Sequence, residues 1–153
     1  MQAFPHRYSI SADSGLAGDI ALLGEGLPAL SAAPPPEFDG PEGHWSPETL
    51  LVAAVASCYI LTFRAVAAVG RMSWLDLRCE VRGTVNRVDR VTQFTEFHLW
   101  VRLKVPEGTD EDQARQLLAR AKHACLITHS LKAPFVLDAE VEVVAPAFAP
   151  MQA

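Results

Sequence analysis

Cysteine is scarce in this chain, with three residues among 153. An odd number at such low density excludes a disulfide framework. It fits a reducing, cytoplasmic compartment, where a disulfide is transient and catalytic rather than structural. No basic segment leads into an apolar one at the N-terminus, so no signal peptide is expected. Charge is thin as well. Only 20% of residues are charged and the formal balance is -5, which argues against nucleic acid or an anionic membrane as the main partner. Long apolar runs are also missing. The longest, Leu50 to Cys58, is broken by Ser57 and followed soon by Arg64. It falls short of the roughly 20 residues a bilayer crossing needs, so no membrane span is expected.

What the chain does have is apolar surface. Half of its residues are hydrophobic, a surplus that predicts a buried subunit interface. The length suits a single domain over residues 1–153 with a core of its own, and no internal repeat is visible. Residues 1–33 mix strand-like pieces, His6 to Ile10 and Asp19 to Leu22, with Gly and Ser. Residues 34–43 are dense in Pro and Gly, which rules out helix and central strand there. This segment reads as an ordered surface loop rather than an SH3-type ligand, with Phe38 and Trp45 pinning it down.

A long helix follows, punctuated at both ends. Ser46 is a good N-cap, Pro47 suits the first helical position, Glu48 complements the positive end, and Gly70 is a natural stop. Leu50 through Phe63 cover nearly every face with apolar side chains, so burial on all sides is expected. Three stretches then alternate with period two: Leu75 to Val85, Phe97 to Val105 with Trp100 on the polar side, and Phe135 to Val143. That pattern predicts antiparallel sheet with one wet face. A second helix from about Asp110 puts Ala114, Leu117, Leu118, Ala121 and Cys125 on one stripe. Strands, helix, hairpin, helix and strand make an α+β fold.

The chemistry turns on the thiols. Cys79 lies on the apolar face of an alternating strand and reads as a small core hydrophobe. Cys58 and Cys125 lie on helices that must pack, and are either inert core or a redox pair. Two features favour the pair. Cys125 ends its stripe where the helix breaks into Leu126-Ile127-Thr128-His129, and Cys58 has Ser57 and Thr62 as polar neighbours. No cysteine or histidine pair, His123 and His129 included, has CxxC or HxxxH spacing, which argues against a metal. No cofactor is expected. Glu48 precedes Cys58 by ten residues, about 15 Å along a helix. The two meet only if the helix packs antiparallel on its own copy; otherwise Glu48 is a dipole partner.

The segment Ser46-Pro47-Glu48-Thr49-Leu50-Leu51, running through Val52-Ala53-Ala54-Val55-Ala56-Ser57 to Cys58, resembles the first signature of the OsmC/Ohr family. The segment Ala121 to Leu131 around Cys125 is similar to its second. The likeness runs from about residue 5 to the C-terminus. It implies an intertwined homodimer, with antiparallel sheets wrapped around two long central helices. It also implies a thiol peroxidase that reduces organic hydroperoxides in oxidative or osmotic stress. Cys58 would then be the peroxidatic thiol, Cys125 the resolving one and Glu48 a supporting carboxylate. The reductant would be a dithiol such as a lipoyl-protein. Peroxide-reducing members set an arginine from the N-terminal region against the thiolate. The matching stretch here, Ser14-Gly15-Leu16-Ala17-Gly18, has none, and Arg7 lies too early. Slower chemistry and a higher thiolate pKa than in an arginine-bearing relative are therefore expected, unless a helix end, His44 or His129 supplies the activation.

Two further readings stand beside the peroxidase. One is a non-catalytic dimer that binds an apolar ligand in the interface cleft, favoured by the missing arginine. The other is Cys–His acyl transfer through His123 or His129, which needs a base within hydrogen-bond reach of a thiol.

Overall fold

Ser46 starts the long helix as the sequence predicts. The computed structural model describes residues 2–145. Met1 and residues 146–153, part of the expected single domain, lie outside the described residues. The chain divides into two compact units at the Leu51/Val52 boundary.

The N-terminal unit holds β1 (Ser11–Asp13), β2 (Ile20–Leu23) and β3 (Leu30–Ala32), an antiparallel meander in that order. The expected strand at His6 to Ile10 does not form, while Asp19 to Leu22 becomes β2 one residue later. The proline-rich segment folds as a short 3-10 turn, Pro36–Phe38, closed by Asp39 in the left-handed region at φ 60°. Its return is fixed where the Ala33 N–H donates to the Trp45 carbonyl at 2.8 Å. The aromatic anchors behave differently from expectation: Phe38 is 52% and Trp45 46% exposed. The turn is instead held by its own backbone bonds, including Phe38 N–H to Pro35 O at 2.9 Å.

Helix α1 spans Pro47–Val69. The Thr49 N–H donates to Ser46 Oγ at 3.1 Å, and the Ser46 N–H donates to Thr49 Oγ1 at 2.8 Å. This reciprocal box satisfies two of the donors that a helix start leaves unpaired. At the other end the left-handed residue is Arg71, at φ 52°, rather than Gly70. Gly70 answers to a close approach instead. A Cβ there would lie 3.1 Å from both terminal carbons of Leu117.

In the second unit β4 (Asp76–Val88) and β5 (Val91–Pro106) form an antiparallel hairpin. Its two-residue turn, Asp89-Arg90, has positive φ at both positions, which is type I′ geometry. α2 (Glu111–Ala124) and α3 (Leu126–Ser130) then carry the chain to β6 (Phe135–Val144). β6 pairs with β5 in parallel, which corrects the expectation of a wholly antiparallel sheet. The α2–α3 crossover returns the chain to the end where β5 began, and parallel strands need such a crossover. Alternation alone does not report strand direction.

The apolar face of β5 comes out as read, while Leu75, Val85 and Val143 from the other alternating sets are exposed, Val85 just past a register shift in β4. Phe97, Leu99, Val101, Leu103 and Val105 are buried, as is the α2 stripe Ala114, Leu117, Leu118 and Ala121. On the opposite face Arg102 pairs with Glu140 and His98 with Asp138, while Trp100 stacks on His98. All-round burial of α1 calls for a partner subunit on one side, and the single chain by itself covers only part of the helix. Val55, Tyr59, Phe63, Val66 and Ala67 are buried, but Leu61 and Val69 are 59% and 74% exposed. Only 28% of its most apolar stretch is buried within the chain, and by length and composition the whole helix is long enough to cross a membrane. The apolar run ending at Cys58 was too short by itself; the helix continues through Arg64 to reach that length.

Candidate functional site

Cys58 sits mid-way along α1 beside the buried stripe of Val55, Tyr59 and Phe63, and is itself half-buried. Tyr59 ties that stretch to α2 by donating its hydroxyl to the Leu118 carbonyl at 3.0 Å. Cys125 is fully buried at the joint between α2 and α3, where its backbone is extended (φ -69°, ψ 117°). The break arises locally. The Thr128 hydroxyl donates to the Cys125 carbonyl at 2.8 Å and lies 3.2 Å from that of Lys122. These bonds occupy carbonyls that α2 leaves open at its end. The His129 N–H closes the first turn of α3 on the Cys125 carbonyl at 3.2 Å.

The joint brings the two sulfurs within 2.9 Å, with the Cys125 thiol donating to Cys58 Sγ. Both cysteines are free. Burial alone would raise the Cys58 pKa. Hydrogen bonds from the Cys125 thiol, the Ile127 N–H, the Thr62 hydroxyl and the Leu126 N–H outweigh it and hold the thiol below its ordinary value. The Thr62 contact is 3.9 Å. Cys125 moves the other way. Burial and its bond to Cys58 push it up, against smaller opposing bonds to Thr128. One sulfur is thus biased toward thiolate and its neighbour toward a donating thiol.

No cation is among the groups that set Cys58. The lowering comes from hydrogen-bond donors, two of them the Leu126 and Ile127 amides at the start of α3. The Leu126 and Ile127 amides and Thr128 were not singled out from the sequence. The available signal was a threonine three residues after a cysteine that ends an apolar stripe. His129 and His44 are engaged elsewhere. His129 donates a ring N–H to the His123 carbonyl, and His44 pairs with Asp19 at 3.2 Å. Among the described residues no imidazole hydrogen-bonds to a thiol, so the geometry gives Cys–His acyl transfer no base. Cys79 is half-buried, and burial, followed by the nearby Cys125 and Glu80, pushes it up to about 12. It is an inert thiol at neutral pH.

Glu48 lies in the N-terminal unit, in the first turn of α1. Its Oε2 is closed off from solvent and has no hydrogen-bond partner among the described residues. It lines a cavity of about 290 Å³ with Ile20, Ala33, Pro34, Pro35, Phe38 and Pro47. A larger cavity, about 480 Å³, opens on the wet face of the β4–β5–β6 sheet between Arg78, Glu80, Trp100 and Asp138, and no thiol lines it.

Comparison with known proteins bears directly on this arrangement. The family model for OsmC-like protein matches residues 40–140, a stretch that takes in Glu48, Cys58 and Cys125. The chain belongs to the OsmC-like family. It is 25% identical over 142 residues to the uncharacterized protein YmaD of Bacillus subtilis, covering 90% of this chain and 95% of that one. An OsmC-like protein of unknown function from Vibrio cholerae has a similar structure, with a TM-score of 0.80 and 19% identity. That match covers 88% of this chain and 99% of the other. A Legionella pneumophila structure described as an organic hydroperoxide resistance protein OsmC matches with a TM-score of 0.72 and 23% identity, over 92% and 100% of the two chains. At these identities the solved structures establish the α+β OsmC fold.

Proposed function

We propose that this OsmC-like protein is a dithiol peroxidase that reduces organic hydroperoxides in stress defence in the cytoplasm. The observation that carries the reading is the 2.9 Å bond from the Cys125 thiol to a Cys58 sulfur whose pKa is lowered. Family membership and the likeness to an organic hydroperoxide resistance protein agree with it. Cys58, the more accessible sulfur, attacks the outer peroxide oxygen as thiolate. The O–O bond breaks, the alcohol leaves after taking a proton, and Cys58 becomes a sulfenic acid. The Cys125 sulfur then displaces hydroxide from it, releasing water and forming a disulfide. A dithiol reductant, of which a lipoyl-protein is one chemical type, restores both thiols by exchange.

The protein acts as a homodimer in this proposal. The support is α1, whose Leu61 and Val69 stay exposed and most of whose other apolar residues are only part-buried within one chain. Glu48, about 15 Å from Cys58 along the helix, serves as a supporting carboxylate to the thiol of the other copy.

The test is thiol titration before and after a few equivalents of cumene hydroperoxide. Loss of two thiols per chain is expected, with Cys58→Ser inactive and Cys125→Ser stalling after one turnover. No loss of thiols would overturn the reading and leave the apolar-ligand dimer in its place.

A further inference from the structure

Trp100 is a large apolar ring set on the wet face of a sheet, where its neighbours across the strands are charged. In register it lies between Glu80 of β4 and Asp138 of β6. Its indole stacks on the His98 ring with centroids 3.9 Å apart, and the Arg82 guanidinium lies 5.0 Å from its centre. Neither His98 nor Arg82 borders the roughly 480 Å³ cavity on this face. Trp100 does, together with Arg78, Glu80, Arg102, Asp138 and Glu140. The indole therefore keeps part of its surface for the cavity. The buried residues of β5 occupy the opposite face of the sheet, and no thiol lines the cavity.

Most of the charge around the cavity cancels. Arg78 donates to Glu80 Oε1 at 2.5 Å and Arg102 to Glu140 Oε2 at 3.1 Å. The two arginines stand directly opposite each other in the β4–β5 register, which is destabilising for like charges unless each is compensated. The glutamates supply that compensation. Asp138 is left. Its Oδ2 is held by His98 Nε2 at 2.5 Å, a partner that is charged only when protonated. With histidine counted as neutral at pH 7, the cavity carries one net negative charge, on the residue beside the indole. An aromatic ring next to an uncompensated carboxylate attracts a cation. The carboxylates are already hydrogen-bonded, an arrangement that a cation without N–H donors leaves undisturbed. The volume falls within the roughly 300–1,000 Å³ range of small-molecule pockets.

We propose that this wet-face cavity binds a quaternary ammonium compound, its methylated head resting on the open surface of Trp100 beside Asp138. The binding involves no thiol and does not rest on the peroxidase reading. Selectivity follows from charge. A neutral tert-butyl compound of the same shape keeps its contact with the indole but loses the attraction to ring and carboxylate. An organic anion would have to displace Glu80 or Glu140 from an arginine, and Asp138 repels it.

The test uses the full chain near pH 7 at low salt, titrated with choline, with its neutral isostere 3,3-dimethyl-1-butanol and with benzoate. Protein NMR follows the Trp100 indole N–H and the backbone amides of β5 and β6. Choline is expected to saturate one site per chain about five-fold more tightly than the alcohol, the advantage a cation–π contact gives at a partly exposed ring. Benzoate should leave these signals in place. Trp100→Leu should remove choline binding, read from the backbone amides. Asp138→Asn should shrink the advantage of choline and leave the alcohol unaffected. Equal affinity for choline and alcohol in the unaltered protein would overturn the proposal, and that comparison does not depend on either variant folding. Absence of saturable choline binding would overturn it too. So would tighter binding of benzoate, which would assign the cavity to the opposed arginines, Arg78 and Arg102.

Discussion

The Thr128 hydroxyl donates to the Cys125 carbonyl across 2.8 Å. This short bond helps turn the chain from α2 into α3, at the point from which the Leu126 and Ile127 amides reach the Cys58 sulfur. Thr128→Val keeps the shape and removes the hydroxyl. Its loss should cost about 1 kcal/mol of stability, the usual worth of such a bond. If the joint relaxes, the amides lose their aim and the iodoacetamide alkylation midpoint of Cys58 should rise, by up to about one pH unit for a loss of that size. Measuring both quantities separates the roles, since a purely structural threonine would lower stability and leave the midpoint alone.

The three thiols should titrate in a fixed order. Cys58 is held below its ordinary value by donated hydrogen bonds and should alkylate at the lowest pH. Cys125 and Cys79 are pushed up by burial and should react only in more alkaline solution. Cys125→Ala removes a donor to Cys58, so the Cys58 midpoint should move up in that variant. Peptide-level mass spectrometry of alkylation against pH resolves each site. A Cys58 midpoint at or above that of free cysteine would contradict the donor geometry.

Cys79 also has a consequence for stability against pH. Its folded pKa, about 12, lies above the ordinary 9.0, so the fold favours the neutral thiol. That contribution is complete below about pH 9 and is lost as pH rises toward 12. The melting temperature should fall over this window, and Cys79→Val should flatten the fall. The depressed Cys58 has the opposite sign: its contribution is present above the ordinary value and is lost as pH falls through the folded one.

Leu61 projects from α1 with 59% exposure. A dimer formed along α1 should cover it, so Leu61→Asp should shift sedimentation from dimer toward monomer. An unaltered protein that sediments as a monomer at micromolar concentration would remove both the dimer and the partner role of Glu48.

Gly70→Ala places a Cβ 3.1 Å from two carbons of Leu117. Urea unfolding should show a loss of about 1–3 kcal/mol, the usual range for overpacking a tight contact. Replacing Arg71, the residue at φ 52°, with Gly should cost nothing comparable, because glycine adopts that conformation freely.

Local chemistry made much of this fold legible. Ser46 and Thr49 cap a helix start by their own side chains, and Asp110 does so for α2 through bonds to the Asp112 and Gln113 amides. The buried face of β5 follows from period two, which is a property of the extended backbone itself. The thiols were legible as candidates because they interrupt or end apolar stripes. Their 2.9 Å meeting was not, because 67 residues separate them and spacing along a chain says nothing about such contacts. Strand direction escaped for a related reason. Alternation in Phe135 to Val143 is identical whether β6 runs with or against β5, and the crossover through α2 and α3 decided it. The sequence by itself determined elements, faces and caps, which depend on neighbours within a few residues. Only the tertiary structure decided which donors face Cys58 and that Glu48 Oε2 is buried without one. Both depend on groups brought together from distant parts of the chain.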